Sequence, residues 1–373
     1  MVNEVFKVFQ SSTMPPHLNE TLITLIPKHP GADCLASFRP ISLCNTVYKM
    51  VTKIIVKRLR PCLPKLISPL QTAFVPRRMG LDNMIIAQEL IHTMTLKKGK
   101  TGFMAIKIDL EKAYDRLKWH FIRDVLELCR LPPFLIKLTM SCVSSSSISI
   151  LLNGGKIEPF HPSRGIRQGD PLSPYLFIMC MEVLGFLISR RSKENLWDPV
   201  RASRGGQAFS HLFFADDLVL FAKADLWNCT SVHETLDTFC ELSGQKVNLN
   251  RSKAYFSPNI SPESREEMCG VLGIHSTPNL GKYLGFPIKH PGSSSQEFNF
   301  VVERVQNKLQ GWKTNLLSMA GRVVIAQSIL SAIPAYVMKG CMLPTQILNN
   351  LDKVSRNFVW GSTEDHKKLH MVG

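Results

Sequence analysis

The sequence predicts an α+β fold in which an antiparallel sheet packs on helices, and three stretches carry that prediction. "GFMAIKIDLEKAYDRLKWHFIRDVLELC" (102–129) opens with period-two alternation and continues at helical spacing. "HLFFADDLVLF" (211–221) reads as two short apolar strands with Asp216 and Asp217 at the tip of a hairpin. Residues 291–373 read as helical, with Trp312, Pro334 and Trp360 as packing or breaking points.

Taken in order, "NETLITLIPKHPGADCLASFRPISL" is a strand, a Pro/Gly-rich loop and a second short extended piece. "NTVYKMVTKIIVKRLRPCL" is an amphipathic helix. Val47, Val51, Ile54, Ile55 and Leu59 form its apolar stripe, and Lys49, Lys53, Lys57 and Arg60 its basic one. "DNMIIAQELIHTM" is another helix, with Asp82 as its N-cap. In the strand that follows, Met104, Ile106, Ile108 and Leu110 share one face, while Ala105, Lys107 and Asp109 share the other. Asp109 therefore ends that strand on its more polar side. "SISILLNGGKIEPFHPSRGIRQGDPLSP" is a hairpin turning at Asn153-Gly154, then a Gly/Pro loop entering the apolar helix "YLFIMCMEVLGFLI". There are no internal repeats.

Charge narrows the class of partner. The chain has 373 residues and carries 45 Lys+Arg against 29 Asp+Glu, a net +16. Residues 1–107 hold 15 basic and 5 acidic side chains, residues 291–373 hold 9 and 5, and the middle holds 21 and 19. A near-neutral centre between basic ends suits a polyanion held around an acidic site. Ten cysteines without a C-x-x-C pair argue against zinc and for a reducing compartment. No unbroken apolar run reaches the roughly 18 residues that span a bilayer, and "MVNEVFKVFQ" lacks a signal-peptide layout. The expectation is an intracellular protein with no membrane partner.

Two adjacent aspartates in an apolar run need compensation, because burying ionised carboxylates is costly and like charges raise each other's pKa. If the strands ending at Asp109 and Asp216 are neighbours, their carboxylates converge at one sheet edge. Clustered carboxylates are what Mg²⁺ prefers. Two such ions about 3.5–4 Å apart clamp the attacking and leaving oxygens of a phosphoryl transfer. An Asp-Asp turn capping a hairpin in plain water is the alternative these residues leave open.

Over nearly its whole length the sequence resembles the reverse transcriptase region of LINE-type non-LTR retrotransposons, particularly those of plants. The motifs that carry the resemblance are "LIPK…FRPISLCNTVYKMVTKIIVKRL", "QTAFVPRRMGLDN", "IKIDLEKAYDRL", "GIRQGDPLSP", "FADDLVLF", "SGQKVNLNRSKA", "KYLGFPI" and "GWKTNLLSMAGRVVIAQSILSAIP", in the family's order. The resemblance implies a right-hand polymerase of fingers, palm and thumb. Fingers would occupy 1–100, palm 101–290 with an interleaved fingers segment around 130–160, and a truncated thumb-like helical region 291–373.

The resemblance also implies roles. Asp109 and Asp216 would ligate two Mg²⁺ ions, with Mn²⁺ as a substitute; the Leu110 carbonyl would complete one shell, and Asp217 would stand nearby. Tyr114 would pack under the incoming sugar, where a 2′-hydroxyl would collide with it. Gln168 and Gly169 would lie beside the nascent base pair, Arg78 would neutralise the triphosphate, and Arg39 would hold fingers or template. Arg77 stands where the family pattern has glycine. Lys253 would protonate the leaving pyrophosphate. Tyr283, Leu284 and Gly285 would form the hairpin gripping the primer.

The implied activity is RNA-directed DNA polymerisation from an RNA template, a DNA primer and dNTPs, with nuclear residence following from the family's life cycle. The endonuclease such elements carry is expected to be absent from this chain. Two other readings stand beside it: a group II intron maturase-type enzyme, and a catalytically silent or domesticated fragment that only binds nucleic acid. The stretch around Gly311-Trp312 and the details of "DLEKAYDRL" and "HLFFADDLVLF" favour the retrotransposon kind.

Overall fold

The "NETLITLIP" and "FRPISLC" stretches pair antiparallel as β1 (Glu20–Pro27) and β2 (Phe38–Cys44), with Thr21 opposite Cys44 and Pro27 opposite Phe38. β3 is Phe103–Ile108, β4 Ser147–Leu152 and β5 Gly155–Lys156. β4 runs parallel to β1, giving a four-stranded sheet in the order β2-β1-β4-β5. Asn153 (φ 50°) and Gly154 (φ 80°) turn the β4–β5 hairpin, as two consecutive left-handed residues do. This computed structural model describes residues 1–203, 205–288, 295–310 and 317–361. Trp312 and its neighbour Gly311 lie outside the described residues.

The remaining strands are β6 (Val200–Arg201), β7 (Ala208–Phe209), β8 (His211–Phe214), β9 (Asp217–Lys223), β10 (Lys253–Phe256), β11 (His275–Ser276), β12 (Lys282–Tyr283) and β13 (Phe286–Pro287). Five of all these strands form the sheet β11-β10-β3-β9-β8, antiparallel except for the two-residue β10–β11 edge. The expected α+β architecture, an antiparallel sheet on helices, is what the chain adopts.

β3 buries Met104, Ile106, Ile108 and Leu110 and leaves Lys107 and Asp109 partly open, as its alternation requires. β9 buries both faces from Leu218 to Ala222, which is why its sequence is continuously apolar rather than alternating. Phe177, Phe213, Phe221, Phe239 and Trp197 are fully enclosed around this sheet. Each such side chain is worth about 1.5–3 kcal/mol against exposure.

The helix Thr46–Leu59 buries Val51, Ile55 and Leu59 and exposes Lys53 and Lys57; Asn45 caps it by accepting from the Val47 amide at 2.8 Å. The next amphipathic helix begins earlier than its sequence suggested, at Gly80 rather than after Asp82. Asp82 still serves the N-terminus: its carboxylate accepts from the Met79 amide at 3.3 Å, the back-reaching half of a capping box.

The chain divides into two units, Met1–Asn83 with Leu96–Pro278, and Met84–Thr95 with Asn279–Gly373. In the second, Pro334 is buried in the first turn of the helix Ala332–Met338, where its missing N–H has no intrahelical partner to lose. A π-helical turn at Ala326–Leu330 precedes it, and the helix resumes as Ala332–Met338. Two helices, Ser173–Lys193 and Met319–Met338, are long and apolar enough to cross a bilayer by length and composition; the first is a core helix, with 56% of its apolar 18-residue stretch buried.

Candidate active site

β3 and β9 are neighbours in register, Ile108 opposite Leu218, so the next position brings Asp109 beside Asp217. β8 and β9 close on Phe214 opposite Asp217, leaving Ala215 and Asp216 as a two-residue turn. Ala215 takes φ 53°, the left-handed geometry that matches the twist of paired strands at such turns. Three carboxylates thus meet at one end of one sheet.

Their electrostatics record the crowding. Burial pushes the Asp109 carboxyl above its ordinary range; Arg251 opposes this, the charge of Asp216 adds to it, and Lys107 and a hydrogen bond from Asn248 ease it. Burial likewise raises Asp217, with Asp216 and Asp109 adding and Lys107 opposing. Excess negative charge is the condition a bound cation offsets.

A single loop cradles Asp109. The Asn248 amide donates to the Asp109 carbonyl at 2.8 Å, and the Asp109 amide donates to the buried Ser252 hydroxyl at 3.1 Å. The Glu111 amide donates to the Lys246 carbonyl at 2.9 Å. These bonds flank the Leu110–Val247 bridge, so the ladder leaves the carbonyl of Leu110 itself outside that pairing. Asn248, Arg251 and Ser252 were missed by sequence reasoning, although all three sit in the "SGQKVNLNRSKA" motif from which only Lys253 was singled out. Lys253 is exposed on β10 directly opposite Lys107.

Tyr114 stacks on Phe177 with centroids 4.9 Å apart. Its hydroxyl is pushed up by burial and by the charge of Asp216, which ties the ring to the same site. The Ile166 amide donates to the Tyr114 carbonyl at 2.8 Å, and the Gly165 amide to the Leu117 carbonyl at 2.7 Å. Gly165 (φ 87°) approaches so closely that a Cβ would stand 2.7 Å from the Asp115 carbonyl oxygen.

The same loop continues to β2, where the Ser42 amide donates to the Gln168 carbonyl at 2.7 Å. Gly169 (φ 103°) is obligatory there: a Cβ would lie 2.9 Å from the Ser42 carbonyl oxygen. A buried polar network fixes this segment. The Asp170 carboxylate accepts from the Tyr48 hydroxyl at 2.7 Å and from the Leu172 amide at 2.9 Å. Arg167 donates to the Thr21 hydroxyl and the Cys142 carbonyl, and its guanidinium lies 4.3 Å over the Tyr48 ring. Sequence reasoning missed Tyr48, Arg167 and Asp170, whose side-chain bonds to one another's segments and to Thr21 and Cys142 span 25 to 146 residues. A cleft of about 320 Å³ opens beside Gln168, lined also by Ser42, Asp115, Phe160 and Arg164.

Arg78 is half-buried. Its guanidinium donates to the carbonyls of Ser68, of Gln71 at 2.7 Å, of Ile67 at 2.8 Å and of Pro64 at 3.5 Å. Those bonds tie it to the backbone of residues 64–71. Arg77 is exposed at φ 65°, and Arg39 is exposed on β2 opposite Ile26. In the second unit, Leu284 (φ 52°) and Gly285 (φ 85°) make the tight turn between β12 and β13, and Tyr283 is buried. The Tyr336 hydroxyl donates to the Leu284 carbonyl at 3.2 Å.

The donor set suits a hard divalent cation: carboxylate and carbonyl oxygens crowded enough to raise two pKa values. Among the described residues no three His, Cys, Asp or Glu side chains form a self-sufficient metal cage. Mg²⁺ at phosphoryl-transfer sites is held by one or two carboxylates plus substrate phosphates, so the residues here fit it.

Residues 26–288 match the family described as reverse transcriptase (RNA-dependent DNA polymerase). The chain is 25% identical over 365 residues to the transposon TX1 uncharacterized 149 kDa protein of Xenopus laevis, covering 95% of this chain and 26% of that one. It is 28% identical over 360 residues to the retrovirus-related Pol polyprotein from type-2 retrotransposable element R2DM of Drosophila melanogaster, covering 93% and 32%. The chain thus spans a quarter to a third of these relatives' length. Among solved structures it is similar to telomerase from Candida tropicalis in complex with a TWJ fragment of telomeric RNA, at 12% identity, TM-score 0.49, covering 95% of this chain and 60% of that one.

Proposed function

The chain belongs to the reverse transcriptase (RNA-dependent DNA polymerase) family, of the LINE-type non-LTR kind, and on that premise we propose that it extends a DNA primer along an RNA template. The observation that carries the reading is the meeting of Asp109, Asp216 and Asp217 at one sheet end, each within the others' field. The primer 3′-hydroxyl attacks the α-phosphate of a dNTP; the new O–P bond forms as the bond to pyrophosphate breaks. When bound, two Mg²⁺ ions, or Mn²⁺ in their place, activate the attacking hydroxyl and offset charge on the leaving oxygens.

Asp109 and Asp216 would hold that pair, aided by the Leu110 carbonyl and Asp217. Lys253 gives a proton to the departing pyrophosphate, and its pairing with Lys107 concentrates positive charge beside the carboxylates. Tyr114, braced by Phe177, closes the space a ribose 2′-hydroxyl would need. Gln168 and Gly169 present backbone and amide beside the nascent base pair, which leaves reading of the template to base pairing. Arg39 faces the template, and the Tyr283-Leu284-Gly285 hairpin grips the primer.

In this reading residues 1–100, with 130–160, serve as fingers, 101–290 as palm and 291–373 as thumb; the pairing of β1 with β4 supports the interleaving. The place of action is the nucleus. Primer extension on poly(rA)/oligo(dT) tests the proposal. Synthesis by the wild type that is lost in Asp216→Asn supports it. Tight RNA binding with no synthesis in either Mg²⁺ or Mn²⁺ overturns it.

A further inference from the structure

We propose that Gln71 is a positioning residue for Asp216: its side-chain oxygen holds the Ala215 amide and so fixes the turn that presents the carboxylate. The inference rests on the polymerase reading for its consequence in turnover, but its geometry stands apart from that reading.

The segment around Gln71 runs along the open side of β8 like one more strand. The Phe213 amide donates to the Leu70 carbonyl at 2.8 Å, and the Thr72 amide to the Phe213 carbonyl at 3.1 Å. Gln71 and Phe213 form a parallel bridge, and the Asn83 side chain donates to the same Phe213 carbonyl at 2.8 Å. From this position Gln71, fully buried, accepts two backbone donors on one oxygen: the Ala73 amide at 3.0 Å and the Ala215 amide at 3.2 Å. Two fixed N–H donors decide which end of the side-chain amide is the oxygen. The Gln71 Nε2 finds no partner among the described residues, a costly state for a buried donor. The side chain's contribution therefore lies in what its oxygen holds.

What it holds is the weak point of the hairpin. Ala215 is a non-glycine residue at positive φ, and it is buried. The ladder closes on Phe214 and Asp217, so the Ala215 amide has no partner within the hairpin. Without Gln71 that buried N–H would be orphaned one residue before Asp216. Arg78 and Glu182 hold Gln71's own segment in turn. Arg78 clamps the carbonyls of Ile67, Ser68 and Gln71, and the Glu182 carboxyl accepts from the Ser68 amide at 3.0 Å. The arginine in "FVPRRMGLDN" thus acts on the carboxylate site from behind, through the backbone.

The test uses the full chain as wild type, Asp216→Asn, Gln71→Met and Arg78→Lys. Methionine keeps the length and apolar fit of glutamine but offers no strong acceptor at that point. Five quantities are measured: Tm, primer–template Kd, dNTP KM, kcat, and amide exchange across 211–219. In Gln71→Met, kcat falls at least ~10-fold, toward the ~100-fold that a 1 Å misplacement can cost. Kd and KM stay within about two-fold, since the contact acts on the reacting geometry and not on binding. Exchange rises at the hairpin tip and not in β3 or β10. Arg78→Lys changes the same quantities in the same direction and decides the matter if Gln71→Met does not fold.

Wild-type kcat with unchanged exchange overturns the proposal, as does a lowered Tm with wild-type kcat, which would assign Gln71 to packing alone. An active wild type and dead Asp216→Asn beside an unaffected Gln71→Met refutes this inference only. A wild type without synthesis refutes the polymerase reading, and exchange at the turn then decides this one.

Discussion

Glu182→Gln isolates a buried charge whose cost is calculable. Glu182 lies on the Ser173–Lys193 core helix and accepts from the Ser68 amide, while its second oxygen is buried with no partner among the described residues. Burial pushes its carboxyl up to about 7 from an ordinary 4.5, although bonds from Ser68 and the charge of Arg78 pull the other way. A carboxyl raised in the folded state stabilises most below the unfolded pKa and loses that contribution as pH climbs through the folded one. At about 1.4 kcal/mol per pKa unit, ionising Glu182 in place costs roughly 3 kcal/mol by pH 8. Glutamine keeps the acceptor for Ser68 and carries no charge. Taking ~2 °C of Tm per kcal/mol for a unit of this size, the variant melts roughly 6 °C above wild type at pH 8. At pH 5 only about a quarter of that remains, because both forms are then largely or wholly neutral when folded. Calorimetric scans at the two pH values measure the difference. A gap independent of pH, or a variant less stable at pH 8, would refute the reasoning by showing an ionised Glu182 paired with Arg78.

Other outcomes follow from the same geometry. Tyr114→Ala raises incorporation of ribonucleotides relative to deoxyribonucleotides by roughly 10–100-fold, measured by competing rNTP and dNTP in primer extension, if the ring closes the sugar pocket. Asp170→Ala removes the acceptor of Tyr48 and the counter-charge of buried Arg167, costing about 3–5 kcal/mol and lowering Tm by roughly 6–10 °C. Gly169→Ala forces a side chain into φ 103° against the Ser42 carbonyl, costing about 1–3 kcal/mol, with a larger loss of kcat/KM than of primer–template affinity. Asp109 and Asp217, both raised, make the metal-free protein lose stability as pH climbs through their folded pKa values, and millimolar Mg²⁺ restores it; a melting series with and without the ion reads this directly.

Local chemistry made much of this molecule legible before any coordinates. Alternation around Met104–Leu110, the Asn153-Gly154 turn and the basic stripe of the Thr46–Leu59 helix are short-range signals, and each element formed where its pattern indicated. Asp109 and Asp216 were recognisable because carboxylates are conspicuous in apolar strands. The start of the Gly80–Thr95 helix was misjudged because a capping-box aspartate can stand at the cap or three residues inside it. Pro334, read as a packing or breaking point, is buried and packs, while the π turn before it is invisible to periodicity.

The amino-acid order alone thus determined which side chains carry chemistry, since that depends on residue type and near neighbours. Which of them meet was decided only by tertiary structure. Strand order placed Asp109 beside Asp217, with Asp216 at the adjoining turn, and put Asn248, Arg251 and Ser252 around Asp109. It also set Arg78 against the carbonyls of Ile67 and Gln71, which its local sequence does not announce. A guanidinium's partners are whichever oxygens the fold brings within about 3 Å, and no local pattern encodes that distance.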